Sequence, residues 1–180
     1  MILWSKLRRS RGFGIHSPFA FDLVLRTLRE RDHYYAYSEL ARLHREAEKA
    51  GTEGLPSEKL LRLIIRLIAR FKPRRVMISG DRSGLISQAV MLADSHIILT
   101  DEAPTFAILT GHGDQPPEIE TACTTVRAGG VALLLDRRKA PDEAKAIEAV
   151  MQRGMTFFSR HKFLAVGARH LPRQDFEISF

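Results

Sequence analysis

The chain has 180 residues, 44% apolar and 27% charged, which suits one globular domain with its own core and excludes collagen-like, low-complexity and wholly disordered architectures. Its single cysteine, Cys123, excludes an intramolecular disulfide framework and a multi-thiolate metal site, as in a reducing compartment. Lys and Arg number 28 against 21 Asp and Glu, a net charge of +7. The excess is confined to the first part, with 17 against 8 up to Arg75 and 11 against 13 beyond it. That asymmetry marks either an electrostatic footprint for nucleic acid or another anionic partner, or a solvated helical face.

In chain order, MILWSKLRRSRGFG places a short apolar run before basic residues, the reverse of a signal peptide. No later stretch reaches the roughly 18 to 20 apolar residues of a membrane span, so the expected location is cytoplasmic, with no membrane contact. A Ser-Pro pair at 17 and 18, followed by Phe21, Val24, Leu25 and Leu28 at helical spacing, predicts a first helix over 17–28. Tyr34, Tyr35 and Tyr37 follow, either as packing aromatics or as stacking groups. Ser38 then caps a predicted second helix running to about residue 50, with Gly51 as its stop. A loop over 51–56 leads to a third helix over 57–71, ended by Pro73, whose apolar residues cover most of the circumference. Arg62, Arg66 and Arg70 share the remaining stripe, either snorkelling to solvent or presented to an anionic partner.

After Arg75 the pattern changes. Short apolar runs at 76–79, 97–100, 106–110 and 131–135 alternate with helix-like segments at 85–93, 117–126 and 142–151, which predicts parallel strands joined by helices. The runs at 156–158 and 163–166 are too close for a crossover helix and predict an antiparallel hairpin. Only four residues separate Asp101 from Phe106, too few for a parallel crossover. One of the runs at 97–100 and 106–110 is therefore expected to be irregular, antiparallel or at an edge.

The run VMISGDRSGLIS at 76–87 reads as strand, glycine turn and helix start, with Gly80 and Gly84 allowing a tight turn near free helix amides. It lacks the third glycine of a dinucleotide fingerprint and the Gly-Lys-Ser/Thr of a P-loop. FGIHSPF at 13–19, the following FDLV and YYAY, LLRLIIRLIARFKP before the turn, LLLDRRKAP, and FLAVGARHLPRQDFEISF at the end span nearly the whole chain. Together they resemble bacterial class I S-adenosylmethionine (SAM) methyltransferase-like proteins that open with a helical F-G-x-H-S-P-F region. The resemblance implies a cofactor turn at Gly80, Asp81, Ser83 and Gly84, and a ribose acceptor at Asp101 or Glu102, where a carboxylate can take both hydroxyls.

Departures from that family gather at the chemistry. The acidic residue expected near the end of the first strand is replaced by Ile78 or Ser79. The positions that bind a divalent ion in metal-dependent relatives read Thr110, Asp136 and Arg137, so no metal is expected. The short link after Asp101 implies loss of a helix, strand and helix that wall the adenine pocket. His16 is the candidate general base, with a helix-entry or packing histidine as the alternative, and His112, after a predicted strand at the ligand edge of the sheet, is a candidate substrate contact, with an exposed loop histidine as the alternative. Cys123 sits in a predicted amphipathic helix and reads as a core thiol.

The expected fold is α/β: a shortened Rossmann-like, mostly parallel sheet with a C-terminal antiparallel hairpin, preceded by N-terminal helices. A basic helical extension over 1–56 and a methyltransferase-type domain over 57–180 pack as one unit. The expected function is a SAM-dependent methyltransferase-like protein, degenerate and with weak or absent catalysis. The alternative is a non-catalytic protein whose basic helices bind nucleic acid, another anionic partner or a protein.

Overall fold

The structure is a computed structural model that describes residues 15–80 and 83–180. Phe13, Gly14 and Asp81, which the sequence reading used, lie outside the described residues. Helix α1 (Pro18–Leu23) starts as its sequence directs: the Ser17 hydroxyl accepts from the Ala20 amide at 3.3 Å, and proline occupies the first turn. It runs on as a single π turn (Val24–Leu28) rather than as more α-helix. Helix α2 (Ala36–Lys49) begins two residues before the expected serine cap. Helix α3 (Glu58–Phe71) is capped by the Ser57 hydroxyl and ends at Lys72, in the left-handed region at φ 46°, just before Pro73.

The middle arginine of the α3 stripe turns inward, because α1 and α2 pack on that face, while Arg62 and Arg70 stay partly exposed. Arg66 is only 8% exposed. Its guanidinium donates to the Thr27 carbonyl at 2.6 Å, the Leu28 carbonyl at 3.4 Å and the Tyr37 hydroxyl at 3.2 Å. The last carbonyls of a helix have no partner within it, so Arg66 caps the π turn from a distance of 39 residues in sequence. Arg62 pairs with Glu58 and lies over the Tyr37 ring, and Arg70 reaches Asp22 of α1 at 2.7 Å. Arg66 is therefore neither solvated nor presented to a partner, whereas Arg62 and Arg70 remain partly exposed at the surface with carboxylates of the same chain beside them.

Among the described residues, seven strands form one mixed sheet in the order β2-β1-β3-β4-β6-β5-β7. They are β1 (Arg75–Ile78), β2 (Ile98–Leu99), β3 (Phe106–Leu109), β4 (Val131–Leu134), β5 (Met155–Phe158), β6 (Phe163–Val166) and β7 (Gln174–Glu177). Strands β2, β1, β3 and β4 are parallel, β6 runs antiparallel to β4 and β5, and β7 pairs parallel to β5. The predicted parallel set and hairpin are both present. β7 was read only as a tail, since QDFE carries one apolar residue; it is held by Phe176 stacked on Phe157 at 5.2 Å and by a Thr156–Asp175 hydrogen bond.

Helices α4 (Ser83–Ala93), α5 (Pro116–Arg127) and α6 (Pro141–Val150) complete the crossovers. Alternation along the strands divides the core in two. Val76, Phe106, Ile108, Val131 and Leu133 face α1 to α4, whereas Met77, Ala107, Leu109, Ala132 and Leu134 face α5 and α6. Leu23 and Leu40 of the first helices belong to the same apolar cluster as Val76 and Phe106, so residues 15–56 share a core with the sheet.

The short link after Asp101 is explained by β2, which pairs only at the level of Arg75 and Val76. The chain turns at Ala103 (φ 43°), and Thr105 donates to the Arg75 carbonyl on the other side of β1 at 3.0 Å. Because β2 ends almost level with the start of β3, no return along the sheet is needed, and both strands are parallel. No helix among the described residues is long and apolar enough to cross a membrane.

Candidate functional site

From β1 the chain crosses through α4 to β2 on one side, while β3 lies on the other side of β1. The carboxyl ends of β1 and β3 therefore flank a topological switch point, the place where open α/β sheets usually bind ligands. Ser79 and Gly80 follow β1; Thr110 and Gly111 follow β3. The crevice between them holds the carboxylate of Asp114. Its Oδ1 accepts from the Ser79 hydroxyl at 2.8 Å and the Thr110 amide at 3.1 Å, and its Oδ2 accepts from the Gly111 amide at 2.6 Å. The Thr110 hydroxyl lies 3.1 Å from Oδ1 and also 3.1 Å from the His112 carbonyl, sharing one proton between them. Amides and hydroxyls converging in this way form an anion-binding concavity, and here the anion is a side chain of the same loop.

Gly80 shows how closely that loop packs. Its φ is +82°, and a β-carbon placed there would lie 1.9 Å from Thr110 Oγ1, 2.4 Å from the His112 carbonyl oxygen and 2.6 Å from Asp114 Oδ1. Glycine is required both by the backbone angle and by the contact. Around Gly84 a β-carbon would meet nothing within 4 Å, and the residue borders a hollow shared with Leu43, Ala47, Gly54 and Gln88. Ser83 opens α4. Asp101 borders a different hollow with Pro104, Pro117, Glu120 and Thr124, and Glu102 is exposed and pairs with Arg75 at 3.4 Å. Gly80, Gly84 and Asp101 thus have three separate sets of neighbours.

Beside Asp114 lies Glu143, on the first turn of α6. Its Oε2 is buried without a hydrogen-bond partner. Burial first, then the charge of Asp114 and a proton shared with it, push the Glu143 carboxyl up to about 7. His112 is 17% exposed, and its Nε2 stands 3.5 Å from Asp136 Oδ2, too long for a good hydrogen bond. The Ser79 hydroxyl donates to Asp114, so the cluster contains a carboxyl pair and a loose His-Asp pair but no serine activated by histidine. His16 is exposed next to Ser17, whose hydroxyl touches Met155 at 3.9 Å; Met155 is level with Val131, at the end of the sheet away from His112.

Among the described residues no group of three or more His, Cys, Asp or Glu side chains is placed to hold a metal ion. Cys123 is buried on α5, and burial raises its thiol above the ordinary range. Tyr34 donates to Glu30 at 2.8 Å and packs on Tyr37 with ring centres 5.3 Å apart; burial, then Glu30, pushes its hydroxyl up to about 12. Tyr35 is fully exposed. Asp114 and Glu143 escaped the sequence reading. The only local sign of Asp114 is a threonine four residues earlier at a strand end, and Glu143 is an ordinary helix-start acid until the fold places it against Asp114.

No family model, characterised protein or solved structure matches this chain.

Proposed function

We propose that the chain is a shortened methyltransferase-like protein that acts by binding and not by methyl transfer. The observation that carries this reading is the Asp114 carboxylate seated between the ends of β1 and β3 on the Ser79 hydroxyl and the Thr110 and Gly111 amides. An adenosyl cofactor at this switch point would need the space and the donors that Asp114 takes. It would also need the face of Gly80 that the 110–114 loop covers. The carboxylates expected to hold its ribose face elsewhere: Asp101 towards α5, Glu102 towards Arg75. The described residues of the crevice therefore do not fit SAM, and no transfer step is assigned to them.

Two further features support loss from a larger fold. β2 is a two-residue edge strand, and β3 follows it after a turn, as removal of an intervening helix, strand and helix requires. An anionic partner held by Arg62, Arg66 and Arg70 is not favoured, because each is already paired within the chain. Calorimetric titration with SAM and S-adenosylhomocysteine tests the reading. No saturable heat is expected at millimolar ligand; one-to-one binding in the micromolar range would overturn it.

A further inference from the structure

At the end of the sheet opposite the crevice, a hollow of about 470 Å³ is lined by the last turn of α5, the segment after α6 and the end of β6. Val126, Val150 and Met151 supply its apolar lining, and Arg127, Arg153 and Arg169 line it too, with no carboxylate among the lining residues. Arg42, Arg70, Arg75 and Arg173 each meet a carboxylate and Arg66 meets carbonyls, whereas Arg31, Arg45, Arg74, Arg138 and Arg160 meet neither; what sets Arg127, Arg153 and Arg169 apart is that they line one hollow together. The three at the hollow form no hydrogen bond or ion pair with another described residue. Arg127 has a sufficient local reason, since a cation suits the carboxyl end of α5. Arg153 and Arg169 lie outside helices, on separate turns, and the dipole does not account for them.

The backbone fixes this convergence. Gly167 donates to the Gly130 carbonyl at 2.8 Å, and a β-carbon on it would lie 1.9 Å from the Val126 carbonyl oxygen, so the end of β6 is held against the end of α5. That contact places Arg169, two residues on, at the same hollow as Arg127, and the turn at 151–154 brings Arg153 to it as well. Guanidinium forks match phosphate oxygens two at a time, and the volume is in the range of small-ligand sites.

We propose that this hollow binds a small phosphate monoester, its phosphate held by Arg127, Arg153 and Arg169 and its apolar part seated on Val126, Val150 and Met151. The site is independent of the reading of the switch-point crevice, which lies at the other end of the strands. The test is calorimetric titration of the full chain with phenyl phosphate, inorganic phosphate and a short oligothymidylate. One saturable site for phenyl phosphate is expected, with weaker binding of inorganic phosphate. The double variant Arg153→Gln, Arg169→Gln should lose roughly tenfold or more in affinity while melting at the same temperature. Arg160→Gln, at the tip of the β5–β6 hairpin, should bind unchanged. Absence of saturation, or binding that the double variant leaves intact, would overturn the proposal. Tighter binding of oligothymidylate than of phenyl phosphate would also overturn it, in favour of a nucleic-acid strand.

Discussion

Three donors at the strand ends depend on one acceptor, the Asp114 carboxylate. Asp114→Ala leaves the Thr110 and Gly111 amides and the Ser79 hydroxyl without it and should cost about 2 kcal/mol in urea unfolding, with Asp114→Asn recovering part. An unchanged midpoint would mean that water replaces the carboxylate freely. Glu143 makes the same cluster sensitive to pH. Its folded carboxyl titrates at about 7 against 4.5 for an unperturbed one, so the folded state holds its proton longer than the unfolded state. The stability this contributes is complete below pH 4.5 and is lost as pH rises through about 7. Glu143→Gln should flatten the decline over that window, measured as unfolding free energy against pH. Lys162 acts in a different range: burial, then the charges of Lys59 and Arg66, lowers its ammonium to about 8, so its contribution is present above pH 10.5 and lost as pH falls through 8.

Elements that read clearly in the sequence are those whose burial is uniform. β1, β3 and β4 appear as unbroken apolar runs because helices cover both faces of the sheet, and α3 shows its caps and its buried Leu61, Ile64, Ile65 and Ile68 directly. The π turn and β7 did not read, since both are held by partners distant in sequence: Arg66 for one, Phe157 and Thr156 for the other. The arginine stripe was located correctly by its spacing, but spacing says nothing about what packs on it. Arg66→Ala should therefore destabilise the protein by about 3 kcal/mol, because two buried carbonyls lose their donor. Arg66→Lys should restore little, since a single ammonium lacks the planar fork that spans Thr27, Leu28 and Tyr37. Full rescue by lysine would reduce the contact to simple charge.

At the scale of the molecule, α1 to α3 and the sheet share one apolar cluster, which argues for a single cooperative unit. The three tyrosines all lie at 34–37, so their near-ultraviolet signal reports the first helices while far-ultraviolet dichroism reports the whole chain. Both should change at the same urea concentration; separate midpoints would show two units. The candidate site was only half legible at this scale. The strand-turn-helix at Gly80 and the threonine at the end of β3 could be read, but not that Asp114 would fill the space between them or that Glu143 would sit behind it, because those placements depend on strand order and on the approach of α6. The most direct measurement follows the Thr110 and Gly111 amide resonances while S-adenosylhomocysteine is added. With Asp114 in place both should stay at their positions up to millimolar ligand. A saturable shift of both would mean that the crevice accepts the cofactor, and the reading of a self-filled switch point would fail.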